Sequence, residues 1–342
     1  MHFPSAPAET VAALAELLKT PRRVAIVTHY NPDGDALGSS LGLMHVLKAL
    51  GHQVQVVLPN AAPKNLHWMP GHEGTINPDT AKDDSEKAIA DADLVFCLDF
   101  NRADRVKGLE TAVRAASVKV LIDHHQDPDV ELASVRFSDT SASSTCQMVY
   151  DVVAMLGAVK HIDADAATCI YTGILTDTGS FRFPSTSAHT LRVAADLLER
   201  GAVPHMIHGA IMEDSAESRL RLLGFSLFER MRVYPELGTT VIALSKADLE
   251  RFNYAPGDTE GLVNFGLSIR GIRLAAFFVE RADAVKISLR SKGKLPVNEF
   301  LGAHFQGGGH ANASGGQSTE ALDVAVERFM KELPAFLKKH PA

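Results

Sequence analysis

In the stretch HYNPDGDALGSS, the chain gathers one imidazole and two carboxylates, His29, Asp33 and Asp35, directly behind the apolar run VAIV. Unpaired carboxylates repel one another, and they tolerate crowding when a cation sits between them. Further residues of the same types follow: Asp99 in CLDFN, Asp123, His124 and His125 in LIDHHQDP, and Asp177 in GILTDTGSFRF. One aspartate at a strand end is usually a turn former or a helix cap. Asp33 with Gly34 fits a turn, and Asp35 fits the N-cap of the helix that follows. That bland reading suits each residue alone and fails for the set. Several carboxylates and imidazoles at the ends of one sheet would repel one another unless cations intervened. Imidazole and carboxylate without thiolate suit manganese, iron, cobalt or zinc better than calcium. The set is too large for one tetrahedral ion. Two ions about 3.5–4 Å apart fit it, an arrangement characteristic of phosphoryl-group hydrolysis.

The elements that must position these groups follow from periodicity. VAIVTH, QVQVVLP, LVFCLDF and VKVLIDHH read as strands. DALGSSLGLMHVLKALG reads as a helix stopped by Gly51, and ADRVKGLETAVRAA as another. Strand and helix alternate, which predicts a mostly parallel sheet. Ligands of such sheets bind outside the carboxyl ends of the strands. Three of the four strands end in a candidate ligand, and the second, ending in LPN, offers none. From SASSTCQMVYDVVAMLG to about RLLGFSLFERM the pattern is mainly helical. Beyond it, TTVIALS, IRLAAFFVE and AVKISLRS alternate like strands. The expected architecture is therefore α/β in two domains. A mostly parallel-sheet metal-binding domain spans 1–190, a connecting helical segment 191–234, and a smaller α/β substrate-binding domain 235–342, with an active-site cleft between the domains.

The length of 342 residues agrees with two domains, and 46% hydrophobic with 22% charged residues is ordinary for a globular protein. No apolar stretch approaches the ~20 residues of a membrane span. The opening MHFPSAPAET lacks a charged n-region and an apolar h-region, so a cytoplasmic location is expected. Cys97, Cys146 and Cys169 lie in apolar segments without a CxxC pair and read as buried small hydrophobes. The net charge of −7 argues against a binder of long nucleic acid. It leaves room for a small anionic substrate held through cations.

These motifs resemble the DHH phosphoesterase superfamily. THYNPDGDALGS is similar to its first motif, LDF to its second, DHH to its third and TDTGSFRF to its fourth. GGGHANASGG, Gly307 to Gly316, resembles the glycine-rich loop of the DHH-associated substrate domain. Size and closing loop resemble most the bifunctional oligoribonuclease and 3′-phosphoadenosine 5′-phosphate (PAP) phosphatase group. The resemblance implies one cation, with manganese expected, held by His29, Asp33 and Asp99. It implies a second held by Asp35, Asp99, His124 and Asp177, with Asp99 bridging. Asp123 would orient a neighbouring residue, and His125 would point at the scissile phosphate. It also implies a homodimer.

The glycine run alone would read as a flexible connector. Glycines also let a backbone approach a ligand and aim N–H groups at an anion. By resemblance Gly307, Gly308, Gly309 and His310 help hold the nucleotide. Arg290 and Ser291 end a strand; Arg290 is either a surface arginine or a bidentate phosphate contact, and the resemblance favours the contact. Arg102, Arg105 and Asn101 can reach the same cleft or serve local structure. His161, His189, His205, His208 and His304 read as core or surface histidines.

The expected activity is metal-dependent hydrolysis of short oligoribonucleotides to mononucleotides and of PAP to AMP. Hydrolysis of pApA or cyclic di-AMP is the alternative within the class. A nicotinamide oxidoreductase is disfavoured because the turn after the first strand is THYNPDGD rather than GxGxxG. A non-catalytic nucleotide sensor is disfavoured by the intact His/Asp set.

Overall fold

A computed structural model of the chain describes residues 7–213 and 216–341. Most of the opening segment read for a leader, residues 1–6, lies outside them. The chain divides into two compact units, Met1–Asp214 and Ser215–Ala342. Their boundary falls inside the segment 191–234.

The first unit begins with helix α1 (Ala8–Leu17) and strand β1 (Arg23–Val27), then α2 (Gly34–Ala49) and β2 (Gln53–Val57). It continues with α3 (Pro78–Ala90), β3 (Leu94–Leu98), α4 (Glu110–Ala115), β4 (Lys119–Asp123) and β5 (Val135–Ser138). Helices α5 (Thr145–Met155), α6 (Ala164–Asp177) and α7 (Ala188–Glu199) follow. The strands form one parallel sheet in the order β2-β1-β3-β4-β5. Both faces are buried. Val24, Ile26, Phe96 and Ile122 pack into the core shared with α2, α5 and α6, while Ala25, Val27, Cys97 and Leu121 face the core holding Ile89 of α3 and Val113 of α4. This two-sided burial explains why the strands read as continuous apolar runs.

The order explains the site. β1, β3 and β4 are consecutive neighbours. The candidate ligands following each of them therefore emerge side by side. β2, whose end offers none, lies on the outer side of β1.

Some local expectations are corrected. Asp33, not Asp35, is the N-cap of α2; its Oδ1 accepts from the N–H groups of Asp35 and Ala36 at 3.0 Å each. Asp35 lies inside the first turn. The stretch ADRVKGLETAVRAA is a 3-10 segment followed by short α4, broken at Lys107, whose φ is 45°. β5 is a fifth parallel strand that the periodicity of its surroundings did not reveal.

The second unit holds a mixed sheet in the order β10-β11-β9-β8-β7-β6. Its strands are β6 (Met231–Tyr234), β7 (Thr239–Leu244), β8 (Leu274–Glu280), β9 (Val285–Ser291), β10 (Gln306–His310) and β11 (Ala313–Ser318). β6 falls in the segment expected to be helical. The helices Val297–His304 and Leu322–Lys339 cover one face through Phe300, Phe329 and Leu333. The glycine run is not a loop but an antiparallel hairpin, with Gly307 opposite Gly316 and His310 opposite Ala313.

Candidate metal centre

The site is assembled at the carboxyl edge of the first sheet. β3 ends at Leu98, and the next residue, Asp99, adopts a left-handed backbone with φ 64°, a conformation uncommon for a residue with a Cβ. Its N–H donates to the Ile122 carbonyl of the neighbouring strand. The buried carboxylate faces two ways. Oδ2 lies 3.4 Å from His29 Nε2, and Oδ1 lies 3.6 Å from His124 Nε2.

Around Oδ2, Asp33 Oδ2 stands 3.8 Å from His29 Nε2. Asp33 thus caps α2 with one oxygen and offers the other. His29 Nδ1 donates to the Tyr30 carbonyl at 3.0 Å, which leaves Nε2 as the atom that could hold a cation. Around Oδ1, His124 Nε2 lies 3.8 Å from Asp35 Oδ2 and 3.7 Å from Asp177 Oδ2. The groups His29–Asp33–Asp99 and Asp35–His124–Asp177 each bring one donor atom per residue within 4.8 Å of the others. Asp99, His124 and His125 form a further such group. His125 Nδ1 also lies 2.8 Å from Asp123 Oδ1, so the neighbour that Asp123 orients is His125.

The electrostatics fit a cation. Burial alone would lower the pKa of both His29 and His124, yet the carboxylates around them, Asp99 foremost, hold each near 9. Burial and the Asp99 charge push Asp35 up to about 7. Asp177 is likewise raised, by burial and then by Asp35. Asp99 is itself lowered to about 2: burial opposes ionisation, and the hydrogen bond and charge of His29 with the charges of His124 and His125 overcome it. Without a metal, protons on the imidazoles balance the clustered carboxylates. A divalent cation would take the place of those protons, and this donor set suits one.

Sequence reasoning missed what holds these candidate ligands. The first turn of α5 supplies backbone N–H donors to Asp35, from Thr145 at 2.7 Å and from Cys146 at 2.9 Å. The run SSTC, a capping serine opening a helix, was the available signal. Close approach of α2 and α6 also matters. A Cβ on Gly173 would lie 2.1 Å from Cys146 Sγ and 2.9 Å from Asp35 Oδ1.

The expected substrate residues lie in the second unit. Arg290 on β9 pairs with Ala313 on β11, which pairs with His310 on β10. Opposed residues in a sheet project to the same face. Arg290 and His310 therefore lie in one cross-strand row, on either side of Ala313. Among the described residues Arg290 has no carboxylate within ion-pair distance, and burial lowers its pKa. Ser291 is occupied internally: its hydroxyl donates to the Leu295 carbonyl and accepts from the Asn312 amide at 2.8 Å, tying the hairpin tip to β9. Gly307, Gly308 and Gly309 lie on the exposed edge strand. Asn101 donates to the Gln126 carbonyl, Arg102 pairs with Asp104, and His304 approaches Glu332. His189 Nε2 lies 2.7 Å from Oδ1 of the buried Asp151.

Fold and donor set define an α/β protein with a divalent-cation centre at the carboxyl edge of a parallel sheet. The profile of the DHH family, N-terminal domain, matches residues 23–174, and that of the DHHA1 domain matches residues 238–339. The bifunctional oligoribonuclease and PAP phosphatase NrnA of Thermus thermophilus is 34% identical over 329 residues, 94% of this chain and 93% of that protein. The protein of the same name from Bacillus subtilis is 30% identical, over 91% of this chain and 94% of its own. The crystal structure of an exopolyphosphatase-related protein from Bacteroides fragilis superposes with a TM-score of 0.94 at 36% identity, covering 97% of this chain and 98% of that one. This chain belongs to the DHH family. No helix among the described residues is long and apolar enough to cross a membrane.

Proposed function

We propose that this chain is a two-cation phosphohydrolase that degrades short oligoribonucleotides to mononucleotides and dephosphorylates PAP. The observation that carries this reading is the division of Asp99, with one oxygen toward His29 and the other toward His124. The names and long overlap of the relatives support the substrate class. His29, Asp33 and Asp99 would hold one ion, and Asp35, Asp99, His124 and Asp177 the other. Manganese is the proposed ion, on the imidazole and carboxylate donors. When bound, such a pair lowers the pKa of a water and neutralises charge on a phosphoryl group.

The chain's own residues do the rest. Asp123 pins the ring of His125, which would donate to a phosphate oxygen. Arg290 and His310 would grip a second anionic group, with the glycine hairpin allowing close backbone approach. The metal-binding unit thus carries the chemistry and the second unit the substrate. A cytoplasmic location and a homodimer belong to the same proposal. Cyclic di-AMP and pApA hydrolysis is the alternative, because they present the same phosphate chemistry.

The test is a timed hydrolysis assay with manganese on a labelled RNA dinucleotide, PAP, pApA, cyclic di-AMP and pyrophosphate, with a chelator control. Turnover of the dinucleotide and PAP, lost with chelator, is expected. Preference for cyclic di-AMP or pApA would favour the alternative. Turnover of pyrophosphate alone would overturn the role given to the second unit, and metal-free nucleotide binding without turnover would support a sensor.

A further inference from the structure

We propose that Thr145 is a positioning residue for the bridging carboxylate, so that the first turn of α5 clamps both Asp99 and Asp35. The proposal rests on the two-cation reading and concerns a residue outside the expected ligand set.

Thr145 is fully buried. Its Oγ1 donates to Asp99 Oδ1 at 2.9 Å, while its backbone N–H donates to Asp35 Oδ2 at 2.7 Å. Cys146 N–H holds the other Asp35 oxygen at 2.9 Å. One residue therefore touches two carboxylates that both approach His124. A carboxylate turns easily about its last torsion, which is broad and roughly two-fold. A bridging carboxylate must instead keep each oxygen aimed at its own ion. Among the described residues, Thr145 supplies the only hydroxyl bonded to Asp99. Its bond occupies one lone pair of Oδ1 and leaves another for a ligand bond.

The clamp is itself held. Ser144 Oγ caps α5 by accepting from Gln147 N–H at 3.0 Å. The Gln147 side-chain oxygen accepts from Ser143 Oγ at 2.8 Å and from Thr190 Oγ1 of α7 at 2.7 Å. These buried bonds fix the first turn of α5 against α7 and leave Thr145 little freedom to follow a displaced Asp99.

The test compares Thr145→Val, which removes the hydroxyl and keeps the backbone N–H, with Thr145→Ser, which keeps both. Manganese is titrated calorimetrically into the metal-free full chain, and kcat and KM are measured on an RNA dinucleotide. Thr145→Val is expected to weaken binding of the second ion and to lower kcat by about 10- to 100-fold, with KM little changed. Thr145→Ser is expected to restore both. Wild-type ion binding and kcat in Thr145→Val would overturn the proposal. So would a Thr145→Ser chain that loses the second ion, a result that remains decisive if the valine variant does not fold. A wild-type chain that binds no pair of ions would instead overturn the two-cation reading beneath it.

Discussion

His125 Nδ1 lies 2.8 Å from Asp123 Oδ1, and the His125 backbone N–H donates to the other oxygen of the same carboxylate at 3.2 Å. Asp123 is fully buried at the end of β4. The ring is thus fixed by a group with no route to solvent. With Nδ1 donating to Asp123, chemistry toward a substrate falls to Nε2. Asp123→Asn is expected to lower kcat by about 10- to 100-fold while leaving ion binding intact. Steady-state kinetics beside a metal titration check it; an unchanged kcat would remove the role given to His125.

Titration of the metal-free chain has a defined sign. His29 and His124, each near 9, bind protons more tightly folded than unfolded. Their stabilisation is fully present below the ordinary histidine value of about 6.5 and is lost as pH rises through about 9. Asp35, raised to about 7, acts in the same direction at lower pH. Asp99, lowered to about 2, acts oppositely and loses its contribution only as pH falls through that value. The metal-free chain should therefore melt at lower temperature as pH rises from about 6.5 to about 9. Manganese, competing with those protons, should raise Tm more at the alkaline end. Calorimetric scans with chelator and with manganese read both trends.

Arg290 shares its row with His310 and, among the described residues, has no carboxylate within ion-pair distance; its guanidinium donates to the Leu289 carbonyl at 2.9 Å. Arg290→Ala is expected to raise KM for the RNA dinucleotide about 10- to 100-fold, the worth of hydrogen bonds to a charged group. The ion count should not change. An unaltered KM would return Arg290 to a structural role.

Gly173 lets α6 lie against Asp35 and Cys146. A methyl there meets Cys146 Sγ at 2.1 Å and Asp35 Cα at 3.0 Å. Gly173→Ala is expected to cost about 1–3 kcal/mol of stability through overpacking. It should also weaken ion binding, since Asp35 is one of the proposed ligands. Chemical denaturation and metal titration of the variant measure the two effects.

The candidate site was legible because its candidate ligands follow strands whose apolar runs are unmistakable. Arg23–Val27, Leu94–Leu98 and Lys119–Asp123 announce where β1, β3 and β4 end. Their adjacency was not legible, since strand order depends on tertiary packing. The short β5, whose burial alternates, gave too weak a period to separate from the turns around it. Asp33 and Asp35 exchanged capping roles because both types and both spacings fit an N-cap. The hairpin 306–318 escaped because glycine carries no side-chain alternation, so only its pairing with β9 shows it to be a strand pair. Thr145 escaped because its partners, Asp35 and Asp99, lie 110 and 46 residues away in sequence.

The most direct measurement counts manganese bound per chain in the wild type and in Asp99→Ala, and follows RNA dinucleotide hydrolysis in the same samples. Two ions and turnover in the wild type, with the pair and the turnover both lost in Asp99→Ala, is the expected result. An Asp99→Ala chain that keeps two ions and hydrolyses the dinucleotide at the wild-type rate would contradict the bridging role of Asp99 and the two-cation mechanism with it.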